Sequence, residues 1–303
     1  MSGTVRSATV IRTHGRHSWA LDDAGERWQV FTKTRTAELA VGDRVRLAPS
    51  GDRQAWIVDI EPRRNLVYRS DAFKSKLFAA NLDAVWLVVA AEPDYSPHLV
   101  ARTVVACAAA GVELTVLLNK TDLLADIDPH VQALRDWLPA GTCILPVSIK
   151  TQGSAVREQL APILRNRATL ILGQSGMGKS TLLNLLVPDA QAATATLSAA
   201  LHSGKHTTTF TQWYALADGG ALIDSPGFQE FGLAHLSNTD LRAAFPDISG
   251  LAENCRFQDC RHDREPDCAV QTALQTGAQP VFRYRLFQDL QTQRAAHKKR
   301  FFT

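Results

Sequence analysis

The segment Gly173-Gln174-Ser175-Gly176-Met177-Gly178-Lys179-Ser180 constrains this chain more than any other stretch. It fits the pattern G-x-x-x-x-G-K-[ST] with the flanks that pattern requires, the apolar strand Thr169–Leu172 before it and the helix-forming run Thr181–Val187 after it. Glycines at these positions let backbone N–H groups converge on one point, and the helix N-terminus adds positive potential there. Such a loop cradles the phosphates of a nucleotide, and the binding set read from it runs from Gly173 through Thr181. Lys179 reaches the β and γ oxygens, and Ser180 ligates Mg²⁺.

The chain around the loop has the texture of a parallel α/β sheet. Apolar strands at Val85–Ala90, Leu114–Leu118, Thr142–Val147, Thr169–Leu172 and Ala221–Ile223 alternate with helical stretches at Pro97–Ala110, Asp128–Leu138, after Gly153, and at Lys179–Val187. Before it, β-branched and aromatic runs at Thr4–Ile11, Arg27–Phe31, Arg44–Leu47 and Trp56–Ile60 alternate with Gly and Asp turns, which predicts a small antiparallel barrel of the OB-fold type. Trp19, Trp28 and Trp56 read as barrel core. Beyond Phe231 no strand is evident, and an amphipathic stretch runs from Pro280 to about Lys299. The 303 residues thus divide into a barrel at 1–64, the α/β domain at 65–233 and a mainly helical domain at 234–303. The longest wholly apolar run, Ala84–Ala91, is far short of a membrane span, and the N-terminus shows no signal-peptide core, so a cytoplasmic protein is expected.

Asn119-Lys120-Thr121-Asp122 follows the strand Leu114–Leu118 and looks like the guanine-reading N-K-x-D element of GTPases. The carboxylate of Asp122 can accept from the ring N1–H and the exocyclic amine of guanine, a donor pair adenine lacks. Asn119 would tie this loop to the phosphate loop, and the Lys120 stem would cover the base. Ser148-Ile149-Lys150 stands where GTPases carry S-A-K, with Ser148 and the Ile149 N–H supporting the base. Asp224-Ser225-Pro226-Gly227 resembles D-x-x-G, in which Asp224 holds Mg²⁺ through water and the Gly227 N–H faces the γ-phosphate. Thr207-Thr208-Thr209 offers the switch threonine that completes the Mg²⁺ shell, with Thr207, Thr208 and Thr209 all open as that ligand. The preceding stretch Pro188–Lys205 lacks firm periodicity, as expected of a switch loop. In most GTPases N-K-x-D and S-A-K come last; here they precede the phosphate loop, so the sheet is circularly permuted.

Cys255, Cys260, His262 and Cys268 form the spacing C-x4-C-x-H-x5-C, three thiolates and an imidazole suited to a closed, structural zinc site. Cys107 and Cys143 read as small core residues. Charge is uneven: residues 1–64 carry 11 Lys+Arg against 8 Asp+Glu, residues 281–303 carry 6 against 1, and the net charge is only +3. Two basic ends around an acidic centre suit contact with nucleic acid through the flanks, including the tail His297-Lys298-Lys299-Arg300.

Taken together, these motifs resemble the circularly permuted, ribosome-small-subunit-dependent GTPase A (RsgA) family of bacteria over essentially the whole chain. The resemblance rests on Asn119–Asp122, Gly173–Ser180, Lys205-His206-Thr207-Thr208-Thr209, Asp224-Ser225-Pro226-Gly227-Phe228 and the Cys/His cluster. It implies an OB-fold, a permuted GTPase domain and a zinc domain, with binding to the 30S subunit and its 16S rRNA during late maturation and hydrolysis of GTP stimulated by that subunit. It also implies one structural Zn²⁺, Mg²⁺ with GTP or GDP, no membrane partner and a monomer. Met177 and Ile149 depart from the residues usual in their loops, at positions where the backbone makes the contacts. Phe228 follows the D-x-x-G glycine, where Ras-like enzymes place the glutamine that orients water. Slow intrinsic turnover is the expected result, with Lys179 and His206 the candidate catalytic residues. The competing reading is a nucleotide-gated RNA-binding placement factor in which hydrolysis is incidental.

Overall fold

Alternation of period two builds the first part of the chain. The computed structural model describes residues 4–14, 17–32, 38–70, 75–188, 211–225, 233, 236–277 and 281–301. Strands β1 (Arg6–His14), β2 (His17–Asp22), β3 (Arg27–Thr32), β4 (Arg44–Gly51) and β5 (Gln54–Ile60) close into a barrel in the order β1-β2-β3-β5-β4, with β4 returning to β1. Their inward positions Ala8, Val10, Ala20, Trp28, Val30, Val45, Leu47, Ala55 and Ile57 form one core, each strand giving every second residue. Strand β2 is the one the sequence hides, because its inward positions are Ser18 and Ala20, too small and polar to sign the pattern.

Only one of the three barrel tryptophans is buried in the core. Trp28 is buried with its Nε1–H donating to Asp22 at 3.0 Å. Trp19 is half-buried, and Trp56 is 41% exposed because Ala55 and Ile57 take the inward positions of β5. Trp56 instead lies beside Phe31 on the outer face, with ring centroids 5.6 Å apart.

A buried ion pair ties the barrel to the chain beyond β5. Arg63 grips the fully buried Asp43 with two bonds, Nε to Oδ1 at 2.6 Å and Nη2 to Oδ2 at 2.8 Å. The hairpin of β6 (Leu66–Ser70) and β7 (Ser75–Ala80) then leads into the central sheet, with the Ala80 N–H donating to Val41 O at 2.8 Å.

That sheet runs β10-β9-β8-β11-β13-β12, from β8 (Ala84–Ala90), β9 (Glu113–Asn119), β10 (Cys143–Pro146), β11 (Ala168–Leu172), β12 (Gln212–Ala215) and β13 (Ala221–Asp224). All its pairs are parallel except β12–β13. Every residue of β8 is buried, as a central parallel strand covered on both faces requires. Val85, Leu87 and Val89 face one core with helix α1 (Pro97–Ala110) and Leu134 of α2 (Asp128–Arg135). Trp86 and Val88 face the other, with α3 (Gly153–Leu164) and α4 (Lys179–Leu186). Strand β12 also pairs with barrel strand β1 at Arg12 and Gln212, so barrel and central sheet are continuous.

The C-terminal part is helical: α5 (Asn238–Ala244), α6 (Pro246–Ala252), α7 (Ala269–Gln275) and α8 (Val281–Phe301). Ser237 and Asp240 make a reciprocal capping box at the start of α5. Leu241, Phe245, Ile248, Tyr284, Phe287 and Leu290 join the core on the α1 face. Among the described residues no helix is long and apolar enough to cross a membrane.

Candidate functional site

Ligands of open α/β sheets sit beyond the carboxyl ends of the strands. Four connections converge there: the loops after Asn119 at the end of β9, after Pro146 at the end of β10, after Leu172 at the end of β11, and after Asp224 at the end of β13. The loop after β11 turns at once, because Gly173 has φ +145° and a Cβ on it would stand 2.3 Å from Val88 O on the neighbouring strand. It ends at Gly178, with φ +103°, from which α4 begins. Backbone N–H groups at a helix start of this kind bind anions.

Asn119 joins three of these loops into one site. It is 3% exposed, and its Nδ2 donates to Met177 O at 2.9 Å while its Oδ1 accepts from the Ile149 N–H at 3.2 Å. The Ile149 N–H, expected from sequence beside a base, is here engaged with Asn119. Ser148 supports the adjoining turn, its Oγ accepting from the Asp122 N–H at 3.0 Å and lying 2.9 Å from Thr121 Oγ1. The Asp122 side chain is exposed and carries no ion pair among the described residues, which leaves both carboxylate oxygens to accept from a ligand. Lys120 adopts the left-handed conformation, φ +63°, and its Nζ donates to Glu92 O at 2.6 Å.

Lys179 and Asp224 supply opposite charges. The Lys179 Nζ donates to Gly173 O and Gln174 O, each at 2.7 Å. Burial lowers the pKa of its ammonium, and the Asp224 carboxylate pulls it back up. Asp224 is buried at the end of β13, next to Ile171 on β11, and the following Ser225 donates from Oγ to Ile171 O at 3.1 Å. An ammonium beside a helix start, with a carboxylate close by, can hold phosphate oxygens and a divalent cation together.

The second constellation lies in the helical part. The ligand atoms of Cys255, Cys260, His262 and Cys268 all lie within 4.8 Å of one another. Cys255 Sγ is 3.8 Å from Cys268 Sγ, and His262 Nδ1 is 3.6 Å from Cys255 Sγ and 3.5 Å from Cys268 Sγ. A tetrahedron with thiolate bonds of about 2.3 Å and an imidazole bond of about 2.05 Å has edges of about 3.8 and 3.6 Å. The four residues therefore fit a bound metal ion. Burial, with the Cys268 and Cys255 sulfurs, pushes the Cys260 thiol up to about 12 against the pull of the His262 N–H, so a Cys260 thiolate belongs here only beside a cation. Burial also lowers the pKa of His262, keeping its ring neutral as a ligand must be. The frame is local: Cys268 caps α7 and accepts from the Gln271 N–H at 3.5 Å, while the His262 carbonyl accepts from Tyr284 of α8.

A profile of the RsgA GTPase family matches residues 60–234. A small ribosomal subunit biogenesis GTPase RsgA of Burkholderia pseudomallei (strain K96243) is 50% identical over 282 residues, covering 93% of this chain and 90% of that one. A protein of the same description from Paraburkholderia xenovorans (strain LB400) is 47% identical over 295 residues, covering 95% and 93%. The chain belongs to the RsgA GTPase family.

Solved structures agree with that membership. YjeQ from Thermotoga maritima superposes with a TM-score of 0.71 at 26% identity, covering 96% of this chain and 99% of that one. YloQ, a circularly permuted GTPase, shares the fold at a TM-score of 0.67 and 24% identity, covering 96% of each. As an RsgA-family GTPase the chain is a GTP hydrolase on a permuted sheet, as its motif order implies, with the N-terminal barrel that its first strands form.

Several expected site residues, His206, Thr207, Thr208, Gly227 and Phe228, lie outside the described residues. Met177 and Ile149 place their side chains in the core on the α3–α4 face and present backbone to the site, which is why apolar residues fit there. Cys107 is buried as expected, its thiol pushed up to about 12 by burial, whereas Cys143 is exposed because β10 is an edge strand. Sequence reasoning passes over Glu92–Ser96, which contacts the loops after β9 and β11; its only signal is its place just beyond the carboxyl end of β8.

Proposed function

We propose that this GTPase binds the 30S subunit and hydrolyses GTP during late small-subunit maturation, with turnover stimulated by the subunit. The observation that carries the nucleotide reading is the pair of hydrogen bonds that the Asn119 amide makes, donating to Met177 O and accepting from the Ile149 N–H, which joins the guanine-reading and phosphate loops. The partner comes from the relatives, described as small ribosomal subunit biogenesis GTPases and aligned along nearly the whole chain.

In this reading Asp122 accepts the two guanine donors, Lys120 covers the base, and Thr121, Ser148, Ile149 and Lys150 shape the base pocket. The N–H groups from Gly173 to Thr181 and the Lys179 ammonium hold the phosphates, and the Gly227 N–H faces the γ-phosphate. Ser180 and Asp224, with Thr207 or Thr208, would hold Mg²⁺, which neutralises charge on the β and γ oxygens when bound. Phe228 has no group that could orient water, so contact with the subunit orders the switch segments or supplies the missing polar group; His206 is the chain's own candidate. The Cys/His cluster holds a structural Zn²⁺, because four protein ligands leave no open position for chemistry.

The division at 1–64, 65–233 and 234–303 then assigns rRNA contact to the flanks. Exposed Trp56 on the barrel can stack on a base, and the basic end of α8 can neutralise phosphates. The protein acts as a cytoplasmic monomer.

The test is hydrolysis of GTP by the chain alone, with 30S, with 50S and with 70S, using ATP as control. Stimulation of GTP but not ATP turnover by 30S is expected. Tight GTP binding with no stimulation would move the reading to a binding switch with another partner.

A further inference from the structure

Gln174 stands second in the phosphate loop, yet its side chain serves a neighbouring segment. Its Oε1 accepts from the Ser96 N–H at 2.7 Å. Ser96 is the N-cap of α1, and its Oγ accepts from the Leu99 N–H at 3.4 Å. The same segment is held at its other end by Lys120, whose Nζ donates to Glu92 O. Between these points Tyr95 packs against the cores on both faces of the sheet. A Cβ on Gly176 would meet the Pro93 ring at 3.6 Å, so the phosphate loop approaches the segment at a second point besides Gln174. A stretch of five residues, anchored in both cores, thus braces both nucleotide loops.

We infer that the Gln174 side chain positions the phosphate loop for the nucleotide: through Ser96 it holds the loop in its binding shape, and the side chain itself does not touch the ligand. Lys179 closes the loop by donating to Gly173 O and Gln174 O. An ammonium has three donors, so for it to reach both the β and the γ oxygens at least one of these bonds must be given up. The Gln174–Ser96 bond shares no atom with these and so survives that exchange. A loop already shaped gives up less conformational freedom on binding, so the bond acts on affinity. GTP and GDP gain alike, because the loop has the same shape for both. This inference rests on the reading of the site as a GTP site.

The experiment measures GDP affinity by titration calorimetry and steady-state GTP hydrolysis in the full chain and four variants. Gln174→Met keeps the length and removes the acceptor. Ser96→Pro removes the donor at a residue whose φ of −78° and ψ of 114° proline accepts, and Ser96→Ala keeps the donor while losing the cap. The fourth is the Gln174→Met/Ser96→Pro double. One lost hydrogen bond of ordinary strength is worth about fivefold. GDP Kd and GTP KM should rise about fivefold in Gln174→Met and in Ser96→Pro, with kcat unchanged. Ser96→Ala should stay within twofold, and the double should be no weaker than either single. A Gln174→Met protein within twofold of the parent would overturn the inference. So would an additive double, about 25-fold weaker, since the amide would then act on the nucleotide itself. A parent chain that binds no guanine nucleotide would instead remove the GTP-site reading.

Discussion

The side-chain amide of Asn119 occupies the space left by the missing side chain of Gly178: a Cβ there would stand 2.2 Å from Asn119 Nδ2. Gly178 also has φ +103°, a conformation other residues adopt only under strain. The loop after β9 and the loop after β11 therefore meet at a glycine, and each fixes the other.

Replacing that glycine should disable the site. Gly178→Ala must push Asn119 away and strain the start of α4, so GDP affinity is expected to fall at least about 100-fold, two such penalties together exceeding about 2.7 kcal/mol. Asn119→Ala removes the two bonds to Met177 and Ile149 without strain and should cost about 25-fold. Titration with a fluorescent GDP analogue orders the two; equal losses would refute the steric argument.

Base choice should follow the carboxylate of Asp122. Asp122→Asn replaces one acceptor oxygen by a donor, which opposes guanine N1–H or its amine but matches a xanthine carbonyl. With about 1.5–3 kcal/mol at stake per charge-assisted bond, GTP affinity should drop about 100-fold or more. Competition between GTP and XTP reads the switch, and an unchanged preference for GTP would remove Asp122 from base reading.

How legible all this was depends on what each element owes to its own residues. The phosphate loop could be read because its glycines are demanded by local backbone geometry, as Gly173 against Val88 shows. The Cys/His cluster could be read because its ligands are close in sequence. Strand β2 could not, since Ser18 and Ala20 face a core whose volume is filled by Trp28 from the next strand. Trp56 misleads in the opposite sense: a large aromatic residue signals burial, yet the register of β5 turns Ala55 and Ile57 inward. The brace at Glu92–Ser96 carries no motif because its bonds use backbone atoms of Glu92 and Ser96, which any residue supplies.

Removing the metal should loosen one corner of the molecule and leave nucleotide binding intact. Cys260→Ser deletes one of four ligands beside α7 and α8, remote in sequence from every nucleotide loop. Metal analysis of the parent should find one zinc per chain, and the variant should hold less than about a tenth of that. Hydrogen exchange over Ala269–Gln275 should speed up, because Cys268 caps that helix, with GDP affinity within about twofold of the parent. A parent free of metal with slow exchange in that helix would contradict the assignment.

Acid should weaken the barrel through Asp22. Its buried carboxylate accepts from the Glu26 N–H at 2.8 Å, Arg6 at 2.9 Å, Trp28 Nε1 at 3.0 Å and the Ala24 N–H at 3.0 Å. Burial alone would push its pKa up, but these donors, led by Glu26, outweigh it and hold the group below its ordinary value. The folded chain therefore binds this proton less tightly than the unfolded chain. The resulting stabilisation is complete above the unfolded value, about 3.9, and is lost as pH falls through the lower folded one. Asp22→Asn should accordingly cost about 1–2 kcal/mol at pH 7, where it forfeits charge-assisted bonds, and progressively less below about pH 4, where the parent loses the same charge. Thermal melts of both proteins across pH 3–7 compare the two curves. A gap that stayed constant with pH would mean that Asp22 holds the β2–β3 turn by shape, with its charge contributing nothing.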